Sequence, residues 1–102
     1  MTTKPKKPEP MRYDMMLRTW PGYFRSIWRG QKRAEIRKND RNFQVGDRVL
    51  LIEWDPATGN QPFPHRDALV EITHMTHDAG IPGVETGYCV WSFKVIRRRV
   101  RR

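Results

Sequence analysis

A chain of 102 residues with 37% hydrophobic and 11% aromatic content can fold as one domain around a single modest core. One cysteine, Cys89, excludes an internal disulfide framework and a thiolate metal cluster, and fits a reducing compartment. No apolar run approaches the roughly 20 residues of a membrane span and nothing resembles a signal peptide, so a cytoplasmic protein without membrane partners is expected.

The formal net charge of +9 directs attention to polyanions. Its distribution is uneven: residues 1–12 carry +3, residues 97–102 carry +5, and residues 13–96 only +1. Within that body, 18–48 holds nine bases against three acids, and 53–96 holds two against six.

The first segment, "TTKPKKPEP", is rich in proline and lysine with no apolar face and reads as a disordered tail over residues 1–12. Met15 to Thr19 is a short extended segment. Pro21 suits a first helical position, where its missing N–H costs nothing. Tyr23, Phe24, Ile27 and Trp28 then form one apolar stripe until Gly30 stops the helix, so a helix over 21–29 is expected to pack on a sheet. "RAEIRK" alternates, with Ala34 and Ile36 on one face and Arg33, Glu35 and Arg37 on the other. That is the pattern of a strand with one polar face.

Residues 39–42 form a loop of ordinary turn formers, with Asp40 placed to orient Arg37 or Arg41. "VGD" turns the chain into "RVLLIEW" (48–54), apolar on both faces as a central strand is. "DPATGN" is a turn that "NQPFPHR" extends. Residues 68–76 form the next strand, 77–87 a long loop, and 88–96 the last strand. "RRRVRR" (97–102) reads as a tail, either solvated or bound to polyanion. The domain is therefore expected over 13–96, as an α+β, mainly β fold. Its strands would form a small barrel or strongly curved sheet with a helix against it.

Trp54, Trp91, Phe93 and Phe43 are expected in the core. His74 and His77 would point to opposite faces of a strand, and His65 stands apart, so neither a metal nor another cofactor is expected. Ser26 and Ser92 have no base near them in sequence, and no phosphate-loop glycine pattern occurs. Lys32, Glu35 and Arg37 can be read as a surface ion-pair ladder of little energetic consequence. Read instead as one wall of a cleft, Glu35 and Arg37, two apart on a strand, project a carboxylate acceptor and a cationic donor from the same face, and Lys32 lies just before them at the helix-to-strand turn.

The run Gly30 to Arg37, "GQKRAEIR", resembles the GxKxxExR signature of ASCH domains, which belong to the PUA-like superfamily. "EIRKNDRNFQVGD", followed by "EWDPATG" and "GYCVW", is similar to a small ASCH-like family of unknown function found in bacteria and bacteriophages. The resemblance covers roughly residues 15–96. It implies a pseudo-barrel of five or six strands with one or two short helices, and a cleft beside the first helix.

The resemblance further implies that Lys32, Glu35 and Arg37 line this cleft and meet RNA or a modified nucleotide. Thr19 and Trp20 would form the opposite wall, Lys38 and Arg41 would extend the basic surface, and Tyr88 or Trp20 would stack on a base. Relatives often carry a histidine where Met15 stands here. Some ASCH-fold proteins are amidohydrolases, and the threonine of their cleft is replaced here by Glu35; others are ribonucleases. A nucleic-acid or nucleoside hydrolase with Lys32 and Glu35 as catalytic groups is thus the second reading. A phage protein that binds and modulates a host protein is the third. The basic tails would add salt-sensitive contacts to an acidic polymer.

Overall fold

The computed structural model describes residues 12–77 and 82–102. The expected N-terminal tail, apart from Arg12, therefore lies outside the described residues, as does part of the loop expected at 77–87.

Chain order is β1 (Met15–Thr19), α1 (Pro21–Trp28), β2 (Ala34–Lys38), β3 (Arg48–Glu53), β4 (His65–His77) and β5 (Tyr88–Arg101). The strands form one mixed sheet in the order β1-β3-β4-β5-β2, with β1 parallel to β3 and the other pairs antiparallel. This is the α+β, mainly β domain that the residue pattern implies. β3 has a neighbour on each side, and Val49, Leu50 and Leu51 are buried, as its two-faced apolar composition requires.

Pro21 opens the helix, and the amide of Phe24 donates to the Trp20 carbonyl at 2.8 Å. Phe24 and Ile27 enter a core that contains Leu17, Phe43, Val49, Leu51, Val70 and Trp91. Tyr23, expected on the same packed stripe, is instead 58% exposed, because it is rotated one residue ahead of Phe24 on the helix surface. At the other end Gly30 takes φ +78°. Its amide donates to Ile27 O, and that of Gln31 to Ser26 O. This is the paired closure that favours glycine at the left-handed position. It reverses the chain and delivers Lys32 to the start of β2.

Three expectations need correction. First, β2 is packed in the opposite sense from an ordinary amphipathic strand: Glu35 is buried, and Ile36 is 70% exposed. Glu35 and Arg37 lie opposite Trp91 and Cys89 on β5, so the charged phase of the strand shares the face that carries the core. Second, the C-terminal arginines are not a tail. β5 continues to Arg101 against His65–Leu69 of β4, so the backbone of the arginine run has strand partners and β4 begins earlier than its apolar residues suggest. Third, Trp54 is only half-buried and carries the Arg18 guanidinium over its ring at 3.9 Å. Phe43, Trp91 and Phe93 are core residues as expected, with Trp91 packed between the other two rings at 5.5 and 5.8 Å.

The edges of the sheet, β1 and β2, approach each other without backbone pairing. Arg37 Nη2 of β2 donates to the Arg18 carbonyl of β1 at 3.1 Å. The seam between the two edges is where the pocket lies. No helix of the described residues is long and apolar enough to cross a membrane.

Candidate functional site

A pocket of about 370 Å³ opens at this seam, lined by Arg18, Thr19, Trp20, Tyr23, Lys32, Glu35, Ile36 and Arg37. Three local structures supply the walls: the end of β1 running into α1, the reversal after Gly30, and β2. Five of the residues expected at the site are thus brought together: Thr19, Trp20, Lys32, Glu35 and Arg37. Three are not. Lys38 and Tyr88 are register partners on the face of β2 and β5 opposite to Glu35 and Arg37, because neighbouring residues on a strand alternate in direction. Arg41 is exposed in the loop before β3. Asp40, expected to orient Arg37 or Arg41, does not orient Arg37; that task falls to Glu35.

Glu35 is the centre of the arrangement. Its side chain is 7% exposed, and its two oxygens face different cations, Lys32 Nζ at 2.9 Å from Oε1 and Arg37 Nε at 2.9 Å from Oε2. A buried carboxylate with both oxygens engaged by cations is compensated for the hydration it gives up. Its lone pairs are directed at these partners, so in this arrangement Glu35 holds cations in place.

The cations retain donors. Lys32 Nζ contacts Glu35 and donates to the Ala34 carbonyl, which leaves one of its three N–H bonds. It also stands 5.7 Å from the ring centroid of Tyr23. Arg37 uses Nε for Glu35 and Nη2 for the Arg18 carbonyl and, at 3.3 Å, for Thr19 Oγ1. Its Nη1 group has no hydrogen-bond partner among the described residues and keeps two donors for a ligand. Thr19, 3% exposed, ties the site to β3 through its carbonyl, which accepts from the Trp54 amide at 2.9 Å.

Trp20 and Tyr23 are 57% and 58% exposed. They are flat apolar surfaces beside the donor set. Arg18, Tyr23 and Ile36 line the pocket without having been expected there. Strand alternation with Leu17 and Thr19 inward sends Arg18 outward, so its position could have been inferred from the residue pattern. Tyr23 sits within one helical turn of Trp20 and could have been paired with it. Ile36 had no such signal, since an isoleucine in an alternating strand ordinarily faces the core. Among the described residues no three His, Cys, Asp or Glu side chains converge as a metal site would require.

Comparison with known proteins adds the family. Residues 15–93 match the model of a domain of unknown function, DUF3850. An uncharacterized 12.9 kDa protein of Escherichia phage P2, in the GpA 3′ region, is 53% identical over 54 residues. The aligned stretch covers 53% of this chain and 46% of the phage protein, so the chain spans less than half the length of that relative. The matched span begins at the first residue of β1 and ends within β5, taking in all the elements that build the pocket, and the chain accordingly belongs to the DUF3850 family.

Proposed function

We propose that this protein is an ASCH-like, PUA-like module that binds RNA or a modified nucleotide in the seam pocket. The observation that carries the reading is the anchored donor pair. Lys32 and Arg37 are held by the buried Glu35 with N–H groups left over, and exposed Trp20 and Tyr23 stand alongside. Charge-assisted donors suit phosphate or a base carbonyl, and the aromatic faces suit a base. A volume near 370 Å³ lies within the range of small-ligand pockets. Because Glu35 is occupied by its two cations, a binding role fits the geometry better than one in which Glu35 acts as a free general base.

The experiment is a thermal-shift and calorimetric panel of nucleosides, nucleoside monophosphates and short oligonucleotides, followed by Arg37→Ala on any hit. A ligand that binds the folded state raises the melting temperature by mass action, and Arg37→Ala should remove most of that rise. Turnover of a panel member, abolished by Lys32→Ala in a folded protein, would replace binding by hydrolysis. Silence across the panel would sink both readings.

A further inference from the structure

The face of the sheet turned away from α1 carries most of the charge that was expected in a tail. Strand register sets it in rows. Arg18, Ile52, Asp67 and Arg99 are successive partners across β1, β3, β4 and β5, and Met16, Leu50, Leu69 and Arg97 form the adjacent row. Arg48, Glu71 and Lys94 make a third. Residues directly paired in this way share a face.

An irregularity of β5 creates the arrangement. Leu69 pairs with Arg97 but Val70 with Val95, so Ile96 is an extra residue between the two registers. Unbroken alternation from Lys94 would turn Ile96, Arg98 and Val100 outward. The bulge resets the phase, and Arg97, Arg99 and Arg101 join Lys94 on the outer face. Arg98 is turned to the helix side, where its Nε donates to the Trp28 carbonyl at 2.8 Å.

Among the described residues seven bases therefore share this face, Arg18, Lys38, Arg48, Lys94, Arg97, Arg99 and Arg101, against the acids Asp67 and Glu71. Asp67 receives Arg99 Nη2 at 3.1 Å, with Arg101 Nε at 4.0 Å; Glu71 lies 3.4 Å from Arg48 and 3.7 Å from Lys94. The two acids pair with four of the bases and leave the face with a net positive charge. Steps of two residues along β5 are about 6.7 Å, and Arg18 lies about 14 Å across the strands from Arg99. Leu50 and Leu69 between these rows are buried, at 5% and 0% exposure, so what solvent meets on this face is the charged layer. Arg18 belongs both to this face and to the pocket wall.

We infer that the outer face is a second binding surface, which holds the phosphate backbone of a single-stranded RNA engaged at the pocket. The choice of RNA as the polymer rests on the pocket reading; the surface itself rests on the register. Rows of arginine and lysine, with the Arg18 guanidinium over the half-buried Trp54 ring at one border, suit the phosphates of a flexible polyanion.

The test compares wild-type protein with the double variant Lys94→Gln/Arg101→Gln. Both side chains are about 60% exposed and neither lines the pocket. Binding of a labelled mixed-sequence single-stranded RNA is followed by anisotropy across a salt series. Each phosphate that is no longer neutralised removes roughly 0.7 from the slope of log affinity against log salt, so the slope should become shallower by about 1.4. The wild type should then lose about sevenfold more affinity than the variant between about 50 and 200 mM salt. Binding of nucleoside monophosphates should not change. An unaltered slope overturns the proposal even if monophosphates bind. A shallower slope in a protein that binds no monophosphate supports the surface and removes the pocket reading alone. Vesicles of phosphatidylserine form the third arm: if the variant loses vesicle binding and keeps RNA binding, the assignment to RNA is overturned.

Discussion

Glu35→Ala is the most informative single change, because it separates a buried ion network from a decorated surface. The carboxylate is 7% exposed, and the Lys32 and Arg37 side chains are 26% and 24% exposed. Deleting it leaves two partly buried cations near one another with no counter-charge. Breaking a buried pair from one side costs about 3–5 kcal/mol. Discounting for the solvent that still reaches both cations brings the expected loss to about 2–3 kcal/mol. For a domain of this size the melting midpoint should fall by about 10–20 °C. Urea denaturation followed by tryptophan fluorescence reports it, since Trp91 is fully buried and its emission changes on unfolding. The triple replacement Lys32→Met/Glu35→Leu/Arg37→Met should recover stability to within about 1 kcal/mol of wild type, because apolar side chains can replace a buried ion network at little cost. It should bind no ligand. Should Glu35→Ala lie within about 0.5 kcal/mol of wild type, the range of ordinary surface substitutions, the network would not be buried in solution and the reasoning would fail.

Further outcomes follow from the fold. Gly30→Ala should cost about 1 kcal/mol from the left-handed φ of +78°, since the new Cβ meets only Arg98 Nη2 at 4.0 Å; a neutral result in a chemical melt would mean that the turn relaxes freely. Ile36→Ser should change stability by less than about 0.5 kcal/mol because Ile36 is 70% exposed, whereas Ile27→Ser should cost several kcal/mol through a polar group and a void in the core. Equal losses in the two melts would contradict the packing of β2. Truncation after Ile96 removes the partners of His65–Leu69 and uncovers Leu69, so the shortened chain should lose its cooperative thermal transition. An unchanged midpoint would return those arginines to the status of a tail.

Much of the fold is legible in the chain. Pro21 and Gly30 bracket the helix by mechanisms that operate locally, one through a fixed φ and the other through a permitted positive φ. The doubly apolar run from Arg48 announces a strand with neighbours on both sides. Lys32, Glu35 and Arg37 could be singled out because two of them are two apart on a strand and the third lies at its entrance. The pocket, by contrast, is made of non-local contacts: Arg37 reaches back 18 residues to Thr19 and 19 to Arg18. No short window of the sequence brings the two sides of that seam together.

What the sequence by itself determined is the order and type of the elements, the position of the chain reversal after Gly30, and the presence of a Lys-Glu-Arg group around β2. What only the tertiary structure decided is which way each strand faces. Alternation specifies two faces and leaves their assignment open; in β2 the pairing with β5 put Glu35 opposite Trp91, and burial of the carboxylate was acceptable because Lys32 and Arg37 meet both of its oxygens. The same holds at the C-terminus. A run of arginines has no apolar signal of its own, and it became a strand because His65–Leu69, well back in the chain, supplied a backbone partner and one bulge set its phase.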